Sequence, residues 1–141
     1  MATTRVLLVE DELLIRLMIA EMLRDEGFEV FEAQHGDDAC ALLDDPDNFD
    51  VLFTDVRMPG PLDGIDVALH ARQRHPAIPV LIASGYAAHL VSRLGALQPA
   101  AVFISKPYSL LEVVDALHHL TGTSDCPGLL TSRAGPCSSA A

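Results

Sequence analysis

The stretch Arg-Val-Leu-Leu-Val-Glu-Asp-Glu at residues 5–12 places an apolar run directly before three consecutive acids. Its apolar part, Val6–Val9, does not alternate with polar residues. Such short, unbroken runs are typical of strands that are buried on both faces of a parallel sheet. Three further runs have the same character: Val51–Phe53, Val80–Ala83 and Val102–Ile104. A fifth segment, Glu29–Ala33, alternates between polar and apolar residues and is predicted to be an edge strand.

Helical patterns separate these strands. The predicted helices are Leu13–Arg24, Asp37–Leu43, Ile65–Arg74, a weaker one that includes Leu90, Leu94 and Leu97, and a last one with an amphipathic stripe of Leu110, Val113, Val114 and Leu117. Ser109 and Glu112 fit a capping box at the start of the last helix. Five strands that alternate with five helices indicate an α/β doubly wound sheet with right-handed crossovers.

The length and composition fit one folded domain. The chain has 141 residues, of which 50% are hydrophobic and 21% are charged, so we expect a single packed core. No apolar run reaches the ~20 residues of a membrane span, and the N-terminal residues do not resemble a signal peptide. Twelve of the last 21 residues are Gly, Pro, Ser or Thr. We therefore predict one domain over residues 1–120 and a flexible tail over residues 121–141.

The charge is strongly negative and unevenly distributed. The net charge is −11, and residues 1–55 alone hold fifteen acids and three bases. This balance argues against sequence-independent binding of nucleic acid, which requires clustered cations. The three cysteines include no CxxC pair, which argues against a disulfide framework and favours a reducing compartment such as the cytoplasm.

Polar residues follow the predicted strands at their C-terminal ends, which is where ligands bind in open α/β sheets. Glu10 and Asp11 follow the first strand, and Asp55 follows the third. Ser84 ends the fourth strand. Lys106, the only lysine in the chain, follows the fifth.

These residue types together suggest phosphoryl-transfer chemistry. If the first and third strands are neighbours, Glu10, Asp11 and Asp55 converge and repel one another by about 4 kcal/mol per pair at ~4 Å and an effective dielectric constant near 20. Such a cluster needs a cation, and carboxylate oxygens favour Mg²⁺. Lys106 adds an ammonium group and Ser84 a hydroxyl donor. A carboxylate nucleophile beside a divalent metal, an ammonium and a hydroxyl forms a phosphoryl-transfer site.

Four segments carry a resemblance to a known family. VLLVEDE, FTDVRMPG, LIASGY and FISKP are similar to the signature segments of receiver domains of bacterial two-component response regulators, and the likeness covers about residues 4–120. It implies a flavodoxin-like fold with a five-stranded parallel sheet in the order 2-1-3-4-5 and five helices. It also implies a response regulator of the single-domain type.

The resemblance implies a role for each matching site residue. Asp55 matches the aspartate that accepts a phosphoryl group from a phosphohistidine. The Mg²⁺ ligands would be Glu10, Asp11, Asp55 and the backbone carbonyl of Arg57. Ser84 and Lys106 match residues that contact the phosphoryl group, and the Lys106-Pro107 peptide matches a cis bond. Ser84 and Phe103 match the two residues that move together on activation.

The same resemblance implies partners and an output. The phosphoryl donor would be a sensor histidine kinase or a histidine phosphotransfer protein, and phosphorylation would change the affinity for a downstream protein. The domain would be a phosphoacceptor with slow self-dephosphorylation and not a turnover enzyme. No nucleic acid or membrane partner is expected.

Three alternatives remain open at this point. The chain can be a phosphorelay intermediate that passes its phosphoryl group to a histidine phosphotransfer protein. An aspartate-nucleophile phosphatase of the haloacid-dehalogenase type is disfavoured, because it needs a second acid two residues after the nucleophile, where this chain has Arg57. A flavin carrier is disfavoured because it needs a neutral loop rich in Ser, Thr or Gly after the first strand to bind phosphate. The acidic residues 10–12 stand there instead and would repel a phosphate group.

Overall fold

The computed structural model describes residues 3–45, 49–85, 97 and 101–122. Its strands are β1 (Arg5–Val9), β2 (Glu29–Ala33), β3 (Val51–Asp55), β4 (Val80–Ser84) and β5 (Val102–Ser105). Its helices are α1 (Leu13–Asp25), α2 (Gly36–Leu43), α3 (Gly64–Arg74) and α4 (Leu110–Thr121). The helix expected around Leu90–Leu97 lies outside the described residues, apart from Leu97, which is buried. The expected tail lies outside them from residue 123 onward.

All five strands are parallel and lie in the order β2-β1-β3-β4-β5. This confirms the five-stranded sheet and places β2 at an edge, as its alternating sequence predicts. β3 is the central strand, between β1 and β4. Its pairing with β1 sets Thr54 opposite Val9, so the residues that follow these two strands emerge next to each other.

Two apolar clusters form the core, one on each face of the sheet. Leu7 and Leu52 pack on the face covered by α2 and α3, whereas Val6 and Phe53 pack on the face covered by α1 and α4. Because successive strand residues point to opposite faces, each apolar run supplies both clusters. The strands β3 and β4 are buried throughout.

β5 is less buried than its apolar sequence predicts. Val102 is 36% exposed, and Phe103 and Ile104 are half-buried. The reason is its position: like β2, β5 is an edge strand, and among the described strands it pairs with β4 alone. An apolar run therefore predicts a parallel strand but does not show whether that strand is central.

Side-chain caps fix the starts of two helices. Ser109 and Glu112 form the predicted capping box at α4, and Asp63 and Asp66 form a second one at α3. Gly122 ends α4 in the left-handed region at φ 72°, where glycine carries no Cβ penalty. Within the described part of the chain, no helix is both long and apolar enough to cross a membrane.

Candidate functional site

Three carboxylates meet at the C-terminal ends of β1 and β3. Glu10, Asp11 and Asp55 each offer one oxygen, and these oxygens lie within 4.8 Å of one another. Glu10 is 3% exposed and Asp55 is 7% exposed, whereas Asp11 is half-buried. The convergence predicted from the sequence is confirmed, because β1 and β3 are adjacent.

Glu10 is held by its backbone as well as by its side chain. Its N–H donates to the Ala33 carbonyl at 3.1 Å, and its carboxylate Oε2 accepts from the Glu12 N–H at 3.1 Å. Its carbonyl accepts from Arg16 Nη1 at 2.9 Å. These bonds hold the turn between β1 and α1.

Lys106 reaches Asp55 from the β5 side of the sheet. Its Nζ donates to Asp55 Oδ2 at 2.8 Å, and its side chain is 34% exposed while that of Asp55 is 7% exposed. The backbone assists, since the Lys106 N–H donates to the Ser84 carbonyl at 2.9 Å and the Lys106-Pro107 peptide is cis, as the resemblance implies. The only lysine of the chain thus pairs with the central carboxylate.

The remaining predicted site residues lie around this pair. Ser84 is 4% exposed at the end of β4, opposite Ser105 of β5. Phe103 is half-buried on β5, opposite Ile82, and packs against the core cluster covered by α2 and α3. Arg57 is exposed in the loop after β3, two residues past Asp55.

Burial, followed by the charges around it, shifts the pKa of Glu10. Its burial raises the pKa of the Glu10 carboxyl above 4.5, the Glu12 N–H opposes this, and the charge of Asp55 raises the pKa further. An oxygen-rich cluster with this excess of negative charge is suited to a hard divalent cation, which would neutralise the repulsion. The residues therefore fit a metal ion of that class.

Sequence and structure comparisons agree on the family. A family model for the response regulator receiver domain matches residues 6–118. The chain belongs to the receiver-domain family. The transcriptional regulatory protein PdtaR of Mycobacterium tuberculosis is 35% identical over 116 residues, which is 80% of this chain and 54% of that protein. The chain spans about half the length of the curated relatives it matches.

Solved receiver structures have the same fold. A response regulator receiver protein from Sinorhizobium medicae superposes with a TM-score of 0.76 at 29% identity, covering 85% of this chain and 95% of that one. The response regulator TrrA of Thermotoga maritima, solved in complex with Mg²⁺ and BeF, superposes with a TM-score of 0.72 at 28% identity over 84% and 99% of the two chains. The sheet order and the doubly wound, flavodoxin-like architecture are thus those of receiver domains.

Two residues of this receiver site were not predicted from the sequence. Tyr108 packs edge-to-face on Phe53, with 6.3 Å between ring centroids, and burial, followed by the charges of Glu10 and Asp55, raises the pKa of its phenol. Gly64 packs on the Asp55 carbonyl. The position of Tyr108, two residues after the only lysine, was the available hint, but neither contact follows from local sequence.

Proposed function

We propose that the domain accepts a phosphoryl group on Asp55 from a histidine kinase or a histidine phosphotransfer protein, in a reaction that requires Mg²⁺. The observation that carries this proposal is the arrangement around Asp55: two further carboxylates on one side and Lys106 Nζ at 2.8 Å on the other. Asp55 therefore lies beside a candidate cation site and is paired with the positive charge of Lys106.

In the proposed reaction, a carboxylate oxygen of Asp55 attacks the phosphorus atom. A P–O bond forms, the P–N bond to the donor imidazole breaks, and the imidazole nitrogen leaves with the bonding electrons and takes up a proton. The product is an acyl phosphate. A bound Mg²⁺ would neutralise charge on the phosphoryl oxygens. Glu10, Asp11, Asp55 and the Arg57 carbonyl are the groups that would hold it.

Lys106 and Ser84 would act on the transferred group itself. Lys106 Nζ, which now donates to Asp55, would turn to a phosphoryl oxygen. The Ser84 hydroxyl would donate to another oxygen, drawing Ser84 toward Asp55. Phe103, half-buried next to β4, would fill the space that Ser84 leaves. Phosphorylation would thus shift the population between two packings of this edge of the sheet.

We infer that the output is a change in affinity for a protein and that this chain acts as a single-domain regulator. The net charge of −11 supports a protein partner over nucleic acid. The domain would act as a phosphoacceptor that hydrolyses its acyl phosphate slowly and not as a turnover enzyme, and we propose that it does so in the cytoplasm.

Acetyl phosphate tests the acceptor directly. With Mg²⁺ present, the wild-type protein should gain the mass of one phosphoryl group, and Asp55→Asn should gain none. Asp25→Asn, an exposed acid at the end of α1, is the matched control and should behave as the wild type. A mass gain in Asp55→Asn would place the acceptor elsewhere, and a wild type that stays unmodified at every Mg²⁺ concentration would reject the proposal.

A further inference from the structure

We infer that Arg16 is a positioning residue for the metal-binding carboxylates, acting through the main chain of Glu10. This inference rests on the proposed function, because it concerns the same cation site. Arg16 lies in α1, and its Nη1 donates to the Glu10 carbonyl oxygen at 2.9 Å. Its side chain is only 11% exposed, so this charge-assisted bond is largely protected from water.

The guanidinium of Arg16 is itself anchored to a second strand. Its Nε donates to Glu32 Oε1 at 3.2 Å, and Glu32 lies on β2, opposite Leu8 of β1. The second oxygen of Glu32 accepts from Arg24 Nη2 at 3.1 Å, and the same nitrogen of Arg24 donates to the Val30 carbonyl at 2.8 Å. Arg16 therefore links the turn that carries Glu10 to the neighbouring strand, through a bond to Glu32 that is separate from the bond of Arg24.

This arrangement requires the shape of arginine as well as its charge. Two different nitrogens of one planar group bond two partners, the Glu10 carbonyl and the Glu32 carboxylate. The single nitrogen of a lysine lacks this planar fork. Since the Glu10 carboxylate is buried and points into the acidic cluster, a small rotation of its peptide would displace a cation ligand. Supporting bonds of this kind change metal affinity by roughly 10- to 100-fold in other metal sites.

Mg²⁺ affinity measured by calorimetry tests the role of Arg16. We expect Arg16→Gln to weaken Mg²⁺ binding by about tenfold or more, and Arg16→Lys to recover little of the loss. Arg24→Gln is the matched control. It removes a neighbouring arginine from Glu32 but leaves the bond to Glu10, so its Mg²⁺ affinity should stay within about twofold of the wild type.

A second measurement separates positioning from a general structural role. Urea unfolding without Mg²⁺ reports stability, and the Mg²⁺ affinity is compared only where each variant is fully folded. A merely structural Arg16 would lower stability and leave the affinity of the folded protein unchanged. If Arg16→Gln does not fold, Glu32→Gln, which keeps the side-chain volume and removes the anchoring charge, should still weaken Mg²⁺ binding by about threefold or more.

The outcomes distinguish this inference from the proposed function. A wild-type protein that binds no Mg²⁺ would reject the proposed function. A wild type that binds Mg²⁺ while the folded Arg16→Gln and Glu32→Gln variants bind it equally well would reject the role of Arg16 alone. Equal weakening by Arg24→Gln and Arg16→Gln would also overturn it, because the bond to Glu10 would then not be the cause.

Discussion

Gly64, the first residue of α3, packs directly on the main-chain carbonyl of Asp55. A Cβ built on Gly64 would overlap the Asp55 carbonyl oxygen and lie 2.9 Å from the Val56 α-carbon. The Gly64 N–H also donates to the Val56 carbonyl at 2.8 Å. α3 thus begins in backbone contact with the end of β3, and this contact fixes the loop that follows Asp55.

Gly64→Ala should destabilise the domain by at least about 2 kcal/mol, because backbone atoms on both sides would have to move. Urea unfolding monitored by circular dichroism measures the difference. Gly85→Ala is the control: among the residues that the structure describes, its added Cβ would meet only Lys106 Cβ, at an ordinary 3.9 Å, so stability should change by less than about 1 kcal/mol. Equal losses of stability in the two variants would show that the contact between Gly64 and the Asp55 carbonyl does not cause the destabilisation.

Lys106→Ala should leave Mg²⁺ affinity unchanged or higher and abolish the structural response to phosphorylation. In the unmodified protein, Lys106 neutralises part of the charge of Asp55 and therefore competes with a cation. In phosphorylated Lys106→Ala, the phosphoryl oxygens would lack the ammonium group that Lys106 supplies in the wild type. Calorimetry measures the first effect. The second is measured by amide chemical-shift changes of β4 and β5 on addition of acetyl phosphate.

Lys106→Arg is the informative comparison for this pair. The arginine side chain keeps the positive charge but is longer and ends in a planar group. The Mg²⁺ affinity of this variant should therefore lie between those of the wild type and Lys106→Ala, and its structural response to phosphorylation should be weak. A Lys106→Ala protein whose β4 and β5 resonances shift as in the wild type would remove Lys106 from the switch.

Much of the fold was predictable because it depends on local patterns. The run Val6–Val9 and the three similar runs are typical of strands covered on both faces, and parallel strands require helical crossovers. The core of the site was also predictable, since Glu10, Asp11 and Asp55 follow strands that end at the same edge. The sheet order itself came from the family resemblance. The apolar run of β5 does not by itself indicate exposure; only the sheet order that the resemblance implies places β5 at an edge.

The supporting contacts of the site could not be read from the sequence. The bond from Arg16 to the Glu10 carbonyl depends on the direction of one side chain and on Glu32 of another strand. The proximity of Tyr108 to Glu10 depends on how the chain turns after Lys106. Both are long-range relationships between side-chain direction and backbone position, which hydrophobic periodicity does not encode.

Glu10→Gln should stabilise the Mg²⁺-free domain at neutral pH. Burial raises the pKa of Glu10 above 4.5, so the folded state holds this proton to a higher pH than the unfolded chain does. The ionised carboxylate therefore opposes folding at neutral pH, and this destabilisation disappears as the pH falls through the folded pKa toward 4.5. Urea unfolding at pH 7 and pH 5 should show a stabilisation by Glu10→Gln that shrinks at the lower pH.

The same substitution should weaken Mg²⁺ binding at least about tenfold, because a carboxylate is exchanged for a neutral amide. Glu12→Gln is the control, since Glu12 is exposed and supports Glu10 through its backbone N–H alone. Its stability and Mg²⁺ affinity should match the wild type. A Glu10→Gln protein that is less stable at pH 7 than the wild type would contradict the direction of the pKa shift.

Tyr108 should ionise far above the usual range of a tyrosine. Burial, followed by the charges of Glu10 and Asp55, raises the pKa of its phenol to about 12. The chain has two tyrosines, so the phenolate absorbance of the wild type should contain one late step that Tyr108→Phe removes. Asp55→Asn should shift this step to lower pH, because one of the two negative charges near the phenol is gone.

The stability of the domain at alkaline pH provides an independent check on Tyr108. The folded state keeps the phenol proton up to about pH 12, whereas the unfolded chain loses it near 10. Stability is therefore lost progressively as the pH rises from 10 toward 12, and Tyr108→Phe should make this decline shallower. The phenyl ring of Tyr108→Phe would keep the contact with Phe53. If this substitution changes the free energy of unfolding as much at pH 7 as at pH 11, the hydroxyl acts through packing and not through its ionisation.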